Sequence, residues 1–318
     1  MLLHPANRAD LSRSLADAQQ TGKRIASFDL SAFARLLEYT PEDLTVTVEA
    51  GLTLGALQRA LRERGQWLPV DPPYADRLTI GALLATNASG PRRFGHGTIR
   101  DHLLGLQVAL ADGRLIRSGG KVVKNVAGFD LLKLFVGSHG SLGVITEATF
   151  KLLPLPEAEH TVQSECATLT EAGAVLAKIL ASDLTPTVLD LHRAGQSQPS
   201  RLTLTFSGAR EDVEAQLARA RELGFTATGA LEYDMAFHAH GSSKPRRASI
   251  LPSRLVQTLE SLAPESFVAR AGNGVIHYRG GKPAPRATTY TQRCGRRRAI
   301  RLRRGPVRRD RATSATSG

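Results

Sequence analysis

The chain has few of the residues that mark several common protein classes. Its 318 residues include two cysteines, Cys166 and Cys294, whose separation matches neither a zinc site nor a redox pair. Neither the GxGxxG pattern nor the GxxxxGK(S/T) pattern occurs, which argues against a Rossmann dinucleotide site and a P-loop. We therefore expect reduced thiols, no metal site, and no nucleotide site of those two types.

Long hydrophobic runs are also missing. No apolar stretch is long enough to span a bilayer. The first 15 residues lack the basic segment followed by an apolar segment that a secretory signal needs. The expectation is a cytoplasmic protein that associates with the inner face of the membrane, if at all, through partners.

Basic residues are abundant, but they are unevenly placed. Of the 42 basic and 29 acidic residues, 12 basic and one acidic lie in residues 282–318, which leaves a net charge of +2 for all the rest. This tail contains eleven arginines and no apolar period. We expect it to be disordered or to be the product of a frameshift in a G+C-rich gene.

The first 156 residues combine short strands with capped helices. Alternation and β-branched residues predict a strand over residues 43–51, followed by a helix from 54 to 64 that Thr53 caps. Thr79 caps a second short helix, and Asp112-Gly113 forms the turn of a hairpin. From residue 157 the predicted order changes to βαββαβ, the order of a ferredoxin-like plait.

Glycines and small polar residues recur between the short strands of residues 78–156. Such loops let backbone N–H groups approach and hold a large anionic cofactor. The run GGKVVKNVAGFDLLKLFVGSHGSLGVIT at 119–146, preceded by TIGALLATNASGPRRFGHGTIRD at 79–101, resembles the FAD-binding subunits of bacterial glycolate oxidases. These belong to the FAD-linked oxidase family, which has the vanillyl-alcohol-oxidase type of flavin fold.

The resemblance implies an α+β protein that binds FAD. A two-lobed FAD-binding domain would occupy residues 1–156, a ferredoxin-like α+β cap that forms the substrate side would occupy 157–281, and the tail would follow. The implied partners are a second flavin subunit and an iron–sulfur subunit, with glycolate or a related small 2-hydroxy acid as substrate. By position, the residues that match the family's flavin contacts are Asp71, Pro72, Thr79, Gly81, Thr86, Asn87, Gly90, Pro91, Gly95, Asp101, Gly143, Val144 and Ile145.

Two features depart from the family pattern. Relatives carry a GGGT-like loop, which wraps the pyrophosphate, between the first helix and the strand that ends in LDLS. Here Lys23 and Arg24 lead almost directly to Phe28, and that loop is absent. The second departure is the arginine-rich sequence after Gly281, where relatives continue with ordinary folded sequence.

Several polar residues admit both a functional and an ordinary interpretation. Arg92 and Arg93 could neutralise phosphate or be a solvated pair, while Lys124-Asn125 could face the flavin ring or form a turn. His238 and His240 would share one face of a strand, which suggests a metal pair, although surface histidines explain them as well. His139 and Asn273 could approach the flavin or substrate, or could simply serve glycine turns.

The function that these observations favour is the FAD-binding subunit of a 2-hydroxy-acid oxidising complex. No motif identifies a catalytic base. A non-catalytic assembly subunit with weak flavin binding is the alternative that the missing loop favours. Nucleic-acid binding through the arginine-rich tail is a second alternative, against which the nearly neutral remainder of the chain argues.

Overall fold

The computed structural model describes residues 2–120, 132–239 and 243–284. Among these residues, two antiparallel sheets form an N-terminal half (residues 2–156) and a C-terminal half (residues 157–284). The 285–318 part of the predicted tail lies outside the described residues, as do Lys124, Asn125 and His240. Helices and strands are mixed in both halves, in agreement with the predicted α+β class.

The N-terminal half begins with a small lobe. Strands β1 (Leu2–Leu3) and β2 (Ser27–Phe28) pair in parallel, and helix α1 (Arg8–Gln20) connects them. The side-chain oxygen of Asn7 caps α1, so the helix starts at Arg8, three residues before its first buried residue, Leu11. Leu11 and Leu15 pack in one small core with residues of the larger sheet.

The remaining elements of the N-terminal half are β3 (Leu36–Thr40), β4 (Thr45–Glu49), α2 (Leu54–Arg62), β5 (Gln66–Trp67), α3 (Ile80–Thr86), α4 (Arg93–His96), β6 (Leu103–Ala109), β7 (Leu115–Gly119), α5 (Leu132–Phe135), β8 (Val144–Lys151) and β9 (Leu153–Pro154), with 3₁₀ turns at Pro41–Asp43 and Ile99–His102. Five of the described strands form the larger sheet, in the order β3-β4-β8-β6-β7 and all antiparallel, and β5 and β9 form a separate short pair. One face of the larger sheet packs on helices α2 and α3, whose buried residues include Leu57, Leu61, Leu83 and Leu84.

The elements of the C-terminal half are β10 (Ala158–Cys166), α6 (Leu169–Ala181), β11 (Val188–Arg193), β12 (Ser200–Gly208), α7 (Arg210–Glu222), β13 (Ala227–Thr228), α8 (Glu232–Ala239), β14 (Arg246–Ser249), α9 (Leu255–Leu262), β15 (Ser266–Arg270) and β16 (Val275–Arg279), with a 3₁₀ turn at Pro252–Arg254. Its seven described strands form one sheet in the order β13-β10-β12-β11-β15-β16-β14. Strands β10 to β13, with α6 and α7 as crossovers, have the order of a βαββαβ plait, and β15, β16 and β14 extend that sheet.

The two faces of the C-terminal sheet differ. One face, with helices α6, α7 and α9, encloses a continuous apolar core. The other face carries charged and polar side chains, and helix α8 lies across part of it. The prediction that His238 sits on a strand is wrong, because it belongs to α8, one turn from Asp234.

Candidate active site

The two halves meet where residues 90–97 of the N-terminal half pack against the polar face of the C-terminal sheet. The Gly95 amide donates to the carbonyl of Thr187, 3.0 Å away, just before β11. The ring of Phe94 lies so close to Gly272 that any side chain at 272 would overlap it. The interface thus brings the GPRRFGHG motif next to the turn between β15 and β16.

A buried ion-pair network occupies the C-terminal side of this interface. Arg270 binds the carboxylates of Asp190 and Asp234, the latter at 2.5 Å, and all three side chains are buried. Burial acts to lower the pKa of Arg270, but the two carboxylates outweigh it and raise that pKa. Burial raises the pKa of Asp190 to about 6, against the opposing charge of Arg270. The network holds Arg270 charged and fixes helix α8, which carries Asp234, on the sheet.

An aromatic pair adjoins the network. Tyr233 donates to Asp190 at 2.6 Å and stacks on His192, with ring centroids 3.9 Å apart. Burial raises the pKa of Tyr233, and the charge of Asp190 adds to this effect. Burial also lowers the pKa of His192 to about 3, and Arg201 and Arg270 act in the same direction. His192 is therefore neutral near pH 7.

Two more histidines lie on this face. His238 and His277 are in edge contact, with ring centroids 5.5 Å apart. Burial lowers the pKa of both, and for His277 the nearby charges of Arg270, Arg247 and Arg93 lower it further. Both imidazoles are thus neutral proton acceptors near pH 7.

Arg93 enters the same region from the N-terminal half. Its guanidinium makes a long hydrogen bond of 3.4 Å to the Ser89 hydroxyl, and among the described residues no carboxylate lies within ion-pair distance of it. Burial lowers the pKa of Arg93; the more distant carboxylate of Asp101 opposes this shift, and the positive charge of Arg270 adds to it. A partly buried guanidinium without a carboxylate partner is a site for an anion.

Two buried amide oxygens also have no hydrogen-bond donor among the described residues. They belong to Asn87, at the end of α3, and to Asn273, in the turn after β15. Asn87 adopts the left-handed conformation at φ 50°, and the Gly137 amide bonds to Leu84 beside it. Unpaired buried acceptors are costly, so each oxygen needs a donor from outside the described residues, and a ligand or water is one such donor.

The structure assigns packing roles to several residues predicted to contact the flavin. Asp71 accepts from the Arg92 amide and guanidinium at 3.1–3.2 Å. Burial raises the pKa of Asp71, whereas the charge of Arg92 opposes this shift. A side chain at Gly90 would overlap the Asp71 carbonyl, and Pro72 and Pro91 are buried beside them.

The next group of predicted residues serves helix α3 and the turn after it. Thr79 caps α3 at the Ala82 amide, and Thr86 bonds back to the Ala82 carbonyl. Gly81 lies on Ala50, to whose carbonyl its amide donates at 2.7 Å. Asp101 closes a capping box with Thr98. Burial acts to raise the pKa of Asp101, but its bonds to Thr98 prevail and lower it.

The predicted adenine-side residues are part of the sheet. Val144 and Ile145 pair with Ala109 and Val108 of β6, and their side chains are buried in the core. A side chain at Gly143 would press on Ala109 and Val108. On this side of β8, the backbone is therefore already paired with β6.

The phosphate side of the predicted site is different. Helix α1 joins β2 through the short connection 21–26, in which Ile25 is buried. Phe33 is buried on α1, and its carbonyl accepts from the Gly51 amide at 2.7 Å. No glycine-rich loop stands at this position in the sequence.

A separate cleft of about 500 Å³ lies on the other face of the N-terminal sheet, away from α2 and α3. Arg8, Arg35 and Arg117 border it, and they pair with the carboxylates of Glu49 and Glu147. As far as the described residues go, none of the thirteen predicted flavin residues lines it. Glu38 also borders the cleft, so three carboxylates stand against the three arginines, and this charge balance makes the cleft a weaker candidate than the interface.

Sequence reasoning missed the charged face of the C-terminal sheet, although a signal for it exists. Polar residues stand two residues apart in VLDLHR and VIHYR, the sequences of β11 and β16, and four apart, on the same face, in SFVAR, the sequence of β15. This period of two predicts one polar face on each strand. That these faces are adjacent depends on the strand order, which the sequence does not state.

Comparison with known proteins identifies the N-terminal region. Residues 11–119 match the family model described as "FAD binding domain". The chain is 40% identical over 156 residues to "Glycolate oxidase subunit GlcD" of Bacillus subtilis (strain 168), covering 49% of this chain and 33% of that protein. It is 39% identical over 153 residues to "Glycolate oxidase subunit GlcE" of Escherichia coli (strain K12), covering 48% and 43%.

A longer alignment reaches into the C-terminal half. It shows 31% identity over 296 residues with "Probable D-lactate dehydrogenase, mitochondrial" of Danio rerio, and it covers 79% of this chain and 59% of that protein. The chain thus spans between 33% and 59% of the length of these three relatives. Among solved structures, an alkyldihydroxyacetonephosphate synthase shares the fold, with a TM-score of 0.69, 17% identity, and coverage of 87% of this chain and 66% of that one.

Membrane-spanning helices and metal-binding clusters are both absent from the described residues. No helix there is both long and apolar enough to cross a membrane. No group of three or more His, Cys, Asp or Glu side chains in that part of the chain is placed to hold a metal ion.

Proposed function

We propose that this chain, which belongs to the FAD-linked oxidases, is the FAD-binding subunit of a complex that oxidises a small 2-hydroxy acid, with glycolate as the first candidate. Two relatives are named as subunits of glycolate oxidase, and others as dehydrogenases of D-lactate and D-2-hydroxyglutarate. Glycolate, lactate and hydroxyglutarate all carry a hydroxyl group next to a carboxylate. The proposed partners are a second flavin subunit and an iron–sulfur subunit.

The observation that carries the proposal is Arg93. It is a partly buried cation without an ion-pair partner among the described residues, and it faces the C-terminal sheet at the interface. A substrate carboxylate would supply the missing negative charge. Asp190 and Asp234 do not supply this negative charge, because both are already paired with Arg270.

The other groups at this interface suit the rest of a 2-hydroxy acid. His238 is the better proton acceptor for the substrate hydroxyl, because its pKa is lowered less strongly than that of His277 and the charge of Asp234 opposes the shift. The packing of Phe94 on Gly272 limits the entry of water from that side. Bound FAD would accept a hydride from the substrate α-carbon.

The residues present fit the ring side of FAD better than its phosphate side. The buried Asn87 oxygen lacks a donor among the described residues, and a flavin ring carries an N–H group that would satisfy it. The phosphate side lacks the GGGT-like loop. This asymmetry favours a second candidate function, a non-catalytic assembly subunit that binds flavin weakly.

The test is co-expression of the chain with the products of neighbouring genes, followed by measurement of flavin content and of dye reduction with glycolate and D-lactate. Arg93→Met should raise KM for the active acid by about ten- to a hundredfold, the effect of losing about 1.5–3 kcal/mol of charge-assisted hydrogen bonding. Arg100→Met, at an exposed arginine nearby, is the matched control and should leave KM unchanged.

The outcomes separate the two functions. Flavin in the complex with acid-dependent turnover that Arg93→Met weakens supports the catalytic function. A complex that assembles and turns over normally with a flavin-free form of this chain supports the assembly subunit. An unchanged KM in Arg93→Met would contradict the assignment of Arg93 to the carboxylate.

A further inference from the structure

Arg92 connects the two halves of the molecule. Its guanidinium contacts both oxygens of Glu159, with Nη2 at 2.5 Å and Nε at 3.2 Å. Glu159 belongs to β10, near the edge of the C-terminal sheet. The Arg92 side chain is 18% exposed and that of Glu159 is 31% exposed, so the contact is partly shielded from solvent on the Arg92 side.

The same guanidinium also holds the N-terminal half. Its Nη1 lies 3.1 Å from Asp71, whose carboxylate accepts the Arg92 amide as well. The guanidinium carbon lies 5.7 Å from the centroid of the Trp67 ring, within the range of a cation–π contact. Asp71 is therefore joined to Glu159 through one side chain that has little freedom to move.

We propose that Arg92 is a positioning residue that couples the docking of the C-terminal half to the geometry of the Asp71–Asn87–Arg93 side of the active site. It touches neither of the orphaned amide oxygens and pairs with two carboxylates, so it is not a ligand-binding arginine. The two adjacent arginines of the motif have different roles, since Arg92 pairs with two carboxylates and Arg93 has no carboxylate partner among the described residues. The proposal rests on the proposed function only for its effect on substrate binding.

The reason for an effect on binding is thermodynamic. A site built from two halves exists only in the fraction of molecules in which the halves are docked, and the apparent affinity falls by that fraction. Weakening the Arg92–Glu159 contact should therefore raise KM while kcat stays nearly constant. A residue that contacted the transition state would instead lower kcat.

The test compares two neutralised glutamates on the same strand. Glu159→Gln removes the charge that Arg92 binds, and Glu165→Gln removes the charge of the exposed Glu165–Arg201 pair as a control. The first measurement is the hydrogen-exchange rate of two backbone amides in the chain alone. One is the amide of Gly95, which donates across the interface, and the other is the amide of Arg92, which donates to Asp71. Both amides should exchange about tenfold faster in Glu159→Gln and should be unchanged in Glu165→Gln.

The second measurement is of KM and kcat in the assembled complex. Glu159→Gln should raise KM about three- to tenfold with kcat within twofold, and Glu159→Asp, which keeps the charge, should recover most of the loss. Unchanged exchange at Gly95 and Arg92 would overturn the proposal, as would faster exchange at Gly95 alone, because the two sides would then be uncoupled. A complex without activity toward 2-hydroxy acids would refute the proposed function, while the exchange rates would still decide the role of Arg92.

Discussion

The two halves contribute to one interface in different ways. In the N-terminal half the predicted flavin residues are mostly small, and Gly90, Gly95 and Gly143 all stand where a side chain would collide with a neighbouring element. In the C-terminal half the residues that reach the interface are charged and buried, such as Arg270 between Asp190 and Asp234. The first pattern serves close packing of the chain on itself, whether or not a ligand is bound.

The difference bears on how each pattern should be interpreted. A glycine in a tight contact already contributes to the fold, so it is weak evidence for a cofactor by itself. Buried ion pairs contribute little net stability compared with apolar packing, so their presence on a whole sheet face is better evidence for a functional surface. The following predictions test this contrast, starting with the largest expected effect.

The largest effect concerns the phosphate side of the N-terminal half. Hydrogen bonds to a charged group are worth about 1.5–3 kcal/mol each, and a GGGT-like loop would supply two or three of them. The chain alone should therefore bind FAD about two to six orders of magnitude more weakly than a form with such a loop grafted between Lys23 and Phe28. The measurement is flavin stoichiometry after dialysis, together with titration of both forms. A stable, near-stoichiometric yellow protein without the graft would contradict this prediction.

The next effect tests the charged face of the C-terminal half. Arg270→Met leaves Asp190 and Asp234 buried without their cation, which should cost about 3–5 kcal/mol of unfolding free energy. Arg114→Met removes an arginine from the exposed Arg114–Asp112 pair of the N-terminal half, at a cost of no more than about 1 kcal/mol. Urea unfolding measures both, and equal losses would show that the buried network has no special role.

These contrasts also show how far the sequence predicts the structure. The N-caps at Thr53 and Thr79 and the hairpin turn at Asp112-Gly113 follow from local chemistry, whereas the α+β class is what the family resemblance implies, and the structure contains all of them. The Arg270 network joins residues 190, 234 and 270, which come together only through strand order and the position of α8. The spacing of His238 from His240 predicts a strand, but it leaves out Asp234, four residues earlier. The contact between Asp234 and His238 is the i,i+4 contact of a helix, so the correct element could be predicted from local spacing as well.

A smaller effect tests the neutral histidines of the charged face. The pKa of His192 falls to about 3 on folding, so the native state binds fewer protons than the unfolded state between about pH 3 and 6.5. The stability that His192 contributes is complete above pH 6.5 and is lost as the pH falls, by about 2 kcal/mol at pH 5. Asp190, with its pKa raised to about 6, acts in the opposite direction between about pH 6 and 4.

A substitution isolates the histidine from that opposing carboxyl. His192→Gln keeps a donor for Thr203 but cannot titrate, so its loss of stability between pH 7 and pH 5 should be about 2 kcal/mol smaller than that of the unaltered chain. His160→Gln, at an exposed histidine of the same half, should leave the loss unchanged. Urea midpoints at the two pH values give the comparison, and identical losses in all three proteins would refute the prediction.

The smallest effect compares two threonines with the same local role. Thr79 caps α3 through the Ala82 amide at 3.3 Å, and Thr168 caps α6 through the Glu171 amide at 3.1 Å. Each change to alanine should cost about 1 kcal/mol of stability, because each removes one capping bond. If Thr79 also contacts FAD, Thr79→Ala should in addition weaken flavin binding about tenfold, whereas Thr168→Ala should not. Equal flavin affinities for the two variants, measured in the loop-grafted form where binding is strong enough to titrate, would mean that Thr79 serves only the helix. Thr79 would then resemble the glycines of the N-terminal half, which serve the packing of the chain on itself.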